Sequence, residues 1–219
     1  GQVKSIVKAK EKGAKLVVVD PRHSETAILA DEWLPIKPGT DLAFLLAMIH
    51  VMVKEDLYDK KFVQEKTIGF KQLGDGIVNY TPEWAEKICE IPAKAIVRIT
   101  REMAQVKPKA LIHRGYHGAF GAQYLNSFQT ARAVAIANSL LGNINQKGGI
   151  YFAQSAKLGE LQPIHPAPDL PKMGKLDGTG IPGRYPLGSY GDGIAHAIPE
   201  LALRGELKAG FVYHNNPLR

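Results

Sequence analysis

The apolar positions in the first 55 residues change period several times, and each change marks an element. Val3, Ile6 and Val7 share one face of a 3.6-residue repeat, and Gly13 follows where a helix would close. Lys15–Val19 is then a short continuous run rich in β-branched residues, which predicts a buried parallel strand ended by Asp20 and Pro21. Ser24 is placed to cap a short helix over Glu25–Ala30, and Glu32–Ile36 reads as a second strand. Pro38 and Gly39 turn the chain, and Thr40 or Asp41 caps an apolar helix that runs to Val53. The order helix, strand, helix, strand, helix predicts an α/β layer with parallel strands.

Further along, Asp59–Glu65 and Pro82–Glu90 predict short helices. Pro92 opens a helix with Ile96, Ile99 and Met103 on one face. Lys109–His113 predicts a strand, Asn126–Leu141 a long helix closed by Gly142, and Ile150–Ala153 another strand. The character then changes: between Gly159 and Gly193, 14 of 35 residues are Gly or Pro, so residues 155–193 read as a long irregular loop. Ala195–Arg204 returns as a helix and Ala209–Tyr213 as a strand. The chain opens at Gly1 directly into an amphipathic repeat and stops just past that strand. The expectation is an internal stretch of a longer polypeptide, with a binding site cut through at its end.

Composition narrows the class. With 45% hydrophobic and 22% charged residues in 219, the chain is globular rather than disordered. The most apolar run, Leu42–Val53, is interrupted by His50 and falls short of the roughly 20 residues a membrane span needs. The net charge of +7 invites a nucleic-acid reading, but the bases are interleaved with acids and alternate with no aromatics. A mixed surface, or a cationic groove for a phosphate-bearing cofactor, fits better, and no nucleic-acid partner is expected. The single cysteine, Cys89, cannot form an internal disulfide or a cysteine cluster, and its helical context predicts a buried structural thiol.

Five stretches could carry chemistry, and each also has an architectural reading. Asp20 lies just past a strand, where a carboxylate can accept from ribose hydroxyls or a base edge, and Arg22 can pair with a phosphate; the same residues make an ordinary turn. Gly39 permits close backbone approach, and Asp41 could accept both donors of a guanine edge, or simply cap a helix. His113, Arg114, Gly115, Tyr116, His117 and Gly118 follow a strand. There the glycines let the backbone run against a flat ligand, and Arg114 with His117 could bind an anion or hand over a proton. Leu140–Gly149 is architectural, although Asn143 or Lys147 could touch a phosphate. His214, Asn215, Asn216 and Pro217 end the last strand with amides able to bind phosphate or base.

Taken in order, these motifs resemble one family. Lys15–Ala27, Ala30 with Asp31, Leu34–Ala43, Leu45–Met48, Leu57–Val63, Tyr80–Glu83, Leu141–Ile144 and Asn216–Leu218 together resemble the dimethyl sulfoxide reductase family of molybdopterin enzymes. The resemblance covers nearly the whole chain except the Gly/Pro-rich segment.

The resemblance implies an α/β fold of Rossmann-like parallel-sheet layers from two dinucleotide-binding domains, 1–149 finishing one and 150–219 beginning the other. It implies bis-molybdopterin guanine dinucleotide with molybdenum as cofactor. Asp20, Arg22, Gly39 and Asp41 would hold one guanosine arm, Gly115 and Gly118 would lie near a pterin, and Asn215 with Asn216 would serve the other dinucleotide. Arg114 to Ala119 is most similar to polysulfide and thiosulfate reductases, which puts Arg114 and His117 near the metal as catalytic residues for a small inorganic anion. Formate dehydrogenases and arsenate reductases share much of the frame.

The resemblance also implies partners outside this stretch: an iron–sulfur cluster in an upstream part, an iron–sulfur electron-transfer subunit and a membrane anchor subunit. Such relatives are commonly periplasmic or membrane-associated facing outward, and an export signal would lie upstream of Gly1. No metal ligand is expected within this stretch, and it alone should not turn over. The competing reading is a non-catalytic nucleotide-binding or adaptor module that keeps the cofactor frame.

Overall fold

The computed structural model describes residues 2–113, 127–152, 159, 178 and 198–210. The chain falls into two compact units, 1–155 and 156–219.

The first unit opens with α1 (Gln2–Glu11), closed by Gly13 at φ +85°. A βαβ unit follows: β1 (Val17–Val19), α2 (Glu25–Ile28) and β2 (Glu32–Leu34). The strands pair in parallel with Val17 opposite Glu32, Val18 opposite Trp33 and Val19 opposite Leu34. Ser24 caps α2 by accepting from the Ala27 amide. The parallel α/β expectation is met here, in a sheet of two strands. One detail differs: β1 was expected to be buried and is half-buried along its length. β1 has a single neighbour among the described strands, and Val17 and Val19 still reach the core.

The core is built around α3 (Asp41–Lys54). Nine of its 14 residues are buried, so it is apolar nearly all round, as a central helix must be. Met48, Ile49 and Met52 are at most 2% exposed; burying each contributes about 1.5–3 kcal/mol. Against α3 pack α5 (Phe70–Ile77), α6 (Pro82–Cys89), α7 (Ala93–Gln105) and α8 (Ser127–Leu140), while α4 (Lys60–Lys66) lies on α8. Asp59 caps α4 by accepting from the Phe62 amide at 2.9 Å, and Thr81 caps α6 through Trp84. Glycines 74 and 76 inside α5 hide that helix from a propensity reading; Phe70, Leu73 and Ile77, packed on the core, make it one.

Two further expectations need correction. Lys109–His113 is not a strand, and Ile150 makes only an isolated parallel bridge to Ile144. In the first case Asn138 of α8 and Asn143 just past it bond the backbone of residues 110–112. Ala153 lies outside the described residues. Among them, no helix is long and apolar enough to cross a membrane.

The second unit is described through α9 (Ile198–Leu203), where Leu201 is buried and Gly205 at φ +71° closes the helix. Residues 209–210 form no strand, and the remainder of the expected strand lies outside the described residues, as does most of 155–193.

Candidate functional site

The parallel register decides which residues meet. Val19 and Leu34 are paired, so the segments that follow them leave the sheet at the same carboxyl edge. In parallel α/β sheets this edge is where ligands bind. Asp20, Arg22, Gly39 and Asp41 all lie on these two segments, and the fold brings them to one end of the sheet.

After β1, the Asp20 amide donates to the Leu34 carbonyl at 3.2 Å and extends the ladder by one bond. The Trp33 indole donates to the Asp20 carbonyl at 2.9 Å, and the His23 ring lies 4.7 Å from Trp33. One carboxylate oxygen of Asp20 accepts from the Arg22 amide at 2.8 Å, an Asx turn that orients the loop. The Arg22 guanidinium is exposed and has no partner among the described residues. Trp33 was not singled out in the sequence, yet it ties this loop to β2; only its place in a strand beside Asp20 could have signalled that.

After β2, Ile36 is buried and the Lys37 amide donates to the Cys89 carbonyl at 3.1 Å, anchoring the turn to α6. The Thr40 amide donates to the Lys37 carbonyl at 3.3 Å, with Gly39 at φ +79°. Pro at the second and Gly at the third position suit a type II turn, and only Gly adopts that φ without strain. Thr40 holds the cap position of α3, but its hydroxyl donates back to the Lys37 carbonyl at 2.6 Å and does not cap the helix. The first amides of α3 are therefore left without a side-chain acceptor. Asp41, half-buried in the first turn, has no hydrogen-bond or ion-pair partner among the described residues.

The edge thus offers a free carboxylate, a free guanidinium and a glycine turn. A carboxylate complements the adjacent N–H donors of a guanine edge, and a guanidinium complements a phosphate. These residue types fit the nucleoside end of a dinucleotide.

The opposite, amino end of the sheet is held by ion pairs with α7. Arg98 pairs with both Glu32 and Glu102, and Lys15 with Glu102 at 2.6 Å. The Lys15 ammonium, followed by Arg98, holds the Glu102 carboxyl below its usual range. Cys89 is fully buried, and that burial pushes its thiol up, as the structural role expected for it requires.

The third stretch is reached through residues 110–112. The Ile112 amide donates to Asn138 Oδ1 at 2.9 Å, and Asn138 Nδ2 donates to the Ile112 carbonyl at 2.9 Å. Asn143 Nδ2 donates to the Ala110 carbonyl at 2.6 Å and to Asn138 Oδ1 at 2.7 Å. Asn138 was missed by sequence reasoning; an asparagine on the apolar face of a helix was the available signal. Asn143, considered for a phosphate, is fully buried with its donors spent on protein acceptors, so it does not face a ligand. Its Oδ1 is buried and unpaired. Lys147 is exposed. Arg114, Gly115, His117, Gly118, Asn215 and Asn216 lie outside the described residues. Among the described residues no cluster of His, Cys, Asp or Glu could hold a metal ion.

Comparison with known proteins gives a consistent result. Residues 2–205 match the family model described as molybdopterin oxidoreductase. The chain is 38% identical to the thiosulfate reductase molybdopterin-containing subunit PhsA of Salmonella typhimurium, over 98% of this chain and 29% of that protein. It is 30% identical to formate dehydrogenase H of Escherichia coli, over 98% of this chain and 31% of that protein. Among solved structures, acetylene hydratase from Pelobacter acetylenicus is similar with a TM-score of 0.61 and 32% identity, over 68% of this chain and 20% of that one. The chain therefore spans less than a third of the length of these relatives.

Proposed function

Because the chain belongs to the molybdopterin oxidoreductase family, we propose that it is an internal part of a catalytic subunit that binds molybdopterin guanine dinucleotide and reduces a sulfur oxyanion or polysulfide. The observation that carries the cofactor half of this reading is Asp41: a half-buried carboxylate with no partner among the described residues, at the same sheet edge as Asp20 and Arg22. In this reading Asp41 and Asp20 accept from the guanosine, Arg22 pairs with a phosphate, and Gly39 lets the turn close on the ligand. Gly115 and Gly118 lie along a pterin, and Asn215 and Asn216 serve the second dinucleotide, with the division between the two binding domains near Gly149. An iron–sulfur cluster upstream, an iron–sulfur partner subunit and a membrane anchor complete the complex.

The bound molybdenum cofactor supplies the redox centre. The chain's own part is to bind the substrate anion through Arg114 and to deliver a proton from His117 to the reduced product. Thiosulfate or polysulfide is favoured because the thiosulfate reductase relative shares 38% identity over the same span in which formate dehydrogenase H shares 30%. That second relative makes formate oxidation the alternative.

The full-length protein purified with its cofactor tests both halves. Asp41→Ala removes a charged acceptor of two hydrogen bonds, each worth about 1.5–3 kcal/mol, so guanine nucleotide and molybdenum retained per chain should fall at least tenfold on dilution. Retention equal to wild type would overturn the role of Asp41, and a wild-type protein holding neither molybdenum nor guanine nucleotide would overturn the cofactor assignment. Oxidation of reduced viologen by thiosulfate is the expected activity; viologen reduction by formate instead would transfer the assignment to the alternative.

A further inference from the structure

Residues 110–112 have no described strand beside them, and their backbone groups meet side chains instead. In an extended chain, alternate residues present their polar groups to the same side. Here the three groups on one side, the Ala110 carbonyl and both the amide and carbonyl of Ile112, are all taken by carboxamides of Asn143 and Asn138. A carboxamide is the side chain that carries a donor and an acceptor in the arrangement of a peptide group, so it can close on both groups of Ile112 at once. Asn138 is 2% exposed and its bonding capacity is filled: Oδ1 accepts from Ile112 and Asn143, and Nδ2 donates to Ile112 and Val134. With all its hydrogen-bonding positions filled, the Asn138 carboxamide is held in one orientation, while Asn143 Oδ1 beside it is buried without a partner. Arg114 follows two residues after Ile112.

We propose that Asn138 is a positioning residue: its carboxamide stands in for a neighbouring strand and fixes the point from which the Arg114–Gly118 segment departs. The catalytic consequence rests on the reading of Arg114 and His117 given above; the clamp itself does not. Asn143 supports it from the far side, since the two acceptors around its Nδ2, the Ala110 carbonyl and Asn138 Oδ1, fix which way its amide points.

Amide hydrogen exchange at single-residue resolution on the full-length protein reads the clamp without any substitution. The Ile112 amide should exchange slowly, while those of Ala110 and Leu111, which have no partner among the described residues, exchange fast. In Asn138→Ala, and in the isosteric Asn138→Asp, which sets a carboxylate oxygen against the Ile112 carbonyl, exchange at Ile112 should quicken about tenfold or more while the amides of α3 stay unchanged. Turnover should fall in Asn138→Ala, with no further loss when His117→Ala is added, because a displaced His117 is already ineffective. Fast exchange at Ile112 in the wild type overturns the clamp. So does acceleration at Ile112 and α3 together, which would mark a general loss of stability. Independent, multiplying effects of Asn138→Ala and His117→Ala on kcat overturn the positioning role. If His117→Ala and Arg114→Ala turn over like wild type, the catalytic reading of the segment falls, and the exchange pattern alone decides the clamp.

Discussion

Gly142 closes α8 where two constraints coincide, and replacing it with alanine tests both. Its φ of +64° lies in the left-handed region, where an L side chain costs about 1–2 kcal/mol. An added Cβ would also sit 2.8 Å from Asp59 Cβ and 2.8 Å from its Oδ2, closer than real Cβ contacts allow, so Asp59 must move. Asp59 is not free to move without loss. Its carboxylate caps α4 through Phe62, and its amide donates to the Leu140 carbonyl at 2.8 Å. Losing a cap costs about 1 kcal/mol, so Gly142→Ala should destabilise the protein by roughly 2–3 kcal/mol. Equilibrium urea unfolding followed by far-ultraviolet circular dichroism measures this. On an Asp59→Gly background the obstructing Cβ and carboxylate are gone, and the same substitution should cost only the conformational part, about 1–2 kcal/mol. A Gly142→Ala protein within about 0.5 kcal/mol of wild type, or an equal cost on both backgrounds, would refute the reasoning.

Other consequences are simpler to check. Cys89 is fully buried and burial raises its thiol, so a disulfide exchange reagent at pH 8 should label it only after unfolding; stoichiometric labelling of the native protein would contradict this. Glu102 is held below its usual range by Lys15 and Arg98, so the unfolded chain takes up its proton first as pH falls. Its contribution is complete above the unfolded value of about 4.3 and is lost as pH drops through the lower folded value. Glu102→Gln should flatten that part of the acid unfolding curve, with a cost near neutral pH below about 1 kcal/mol that shrinks with salt. An unchanged acid slope would remove the ion pairs from the account.

Asp20 and Asp41 are the carboxylates on the two segments that leave the carboxyl edge of the sheet. Neither carboxylate is neutralised by a lysine or arginine of the described chain, while eight other described carboxylates, Asp31, Glu32, Glu55, Asp56, Glu90, Glu102, Glu200 and Glu206, are each paired. Lys15 and Arg98 with Glu32 and Glu102 join α7 to the amino end of the sheet and Arg101 joins α7 to Glu55, while Lys37–Glu90 lies on the turn after β2 itself. Asp20 and Asp41 stand at the end where the two strands release their loops.

How much of this was legible in the sequence depends on the range of the interaction. The elements through α3, the Ser24 cap, the turn at Gly39 and the close of α8 at Gly142 could all be read, because each rests on contacts within a few residues: a period, a cap, a positive φ. The candidates Asp20, Arg22, Gly39 and Asp41 were legible for the same reason, as residues just past strands. Their common edge was not, since it follows from the pairing of Val19 with Leu34. Nor was the state of Lys109–His113: its composition calls for extended backbone, but only the tertiary structure decided that Asn138 of α8 and Asn143 just past it, rather than a described strand, would bond residues 110–112. Asn143 shows the limit most plainly. A polar side chain in a glycine-rich turn reads as exposed and ready for a phosphate, yet folding buries it and commits its donors to Ala110 and Asn138. Local rules specify what a residue can bond; the partner it meets is set by which distant backbone groups folding leaves in need of one.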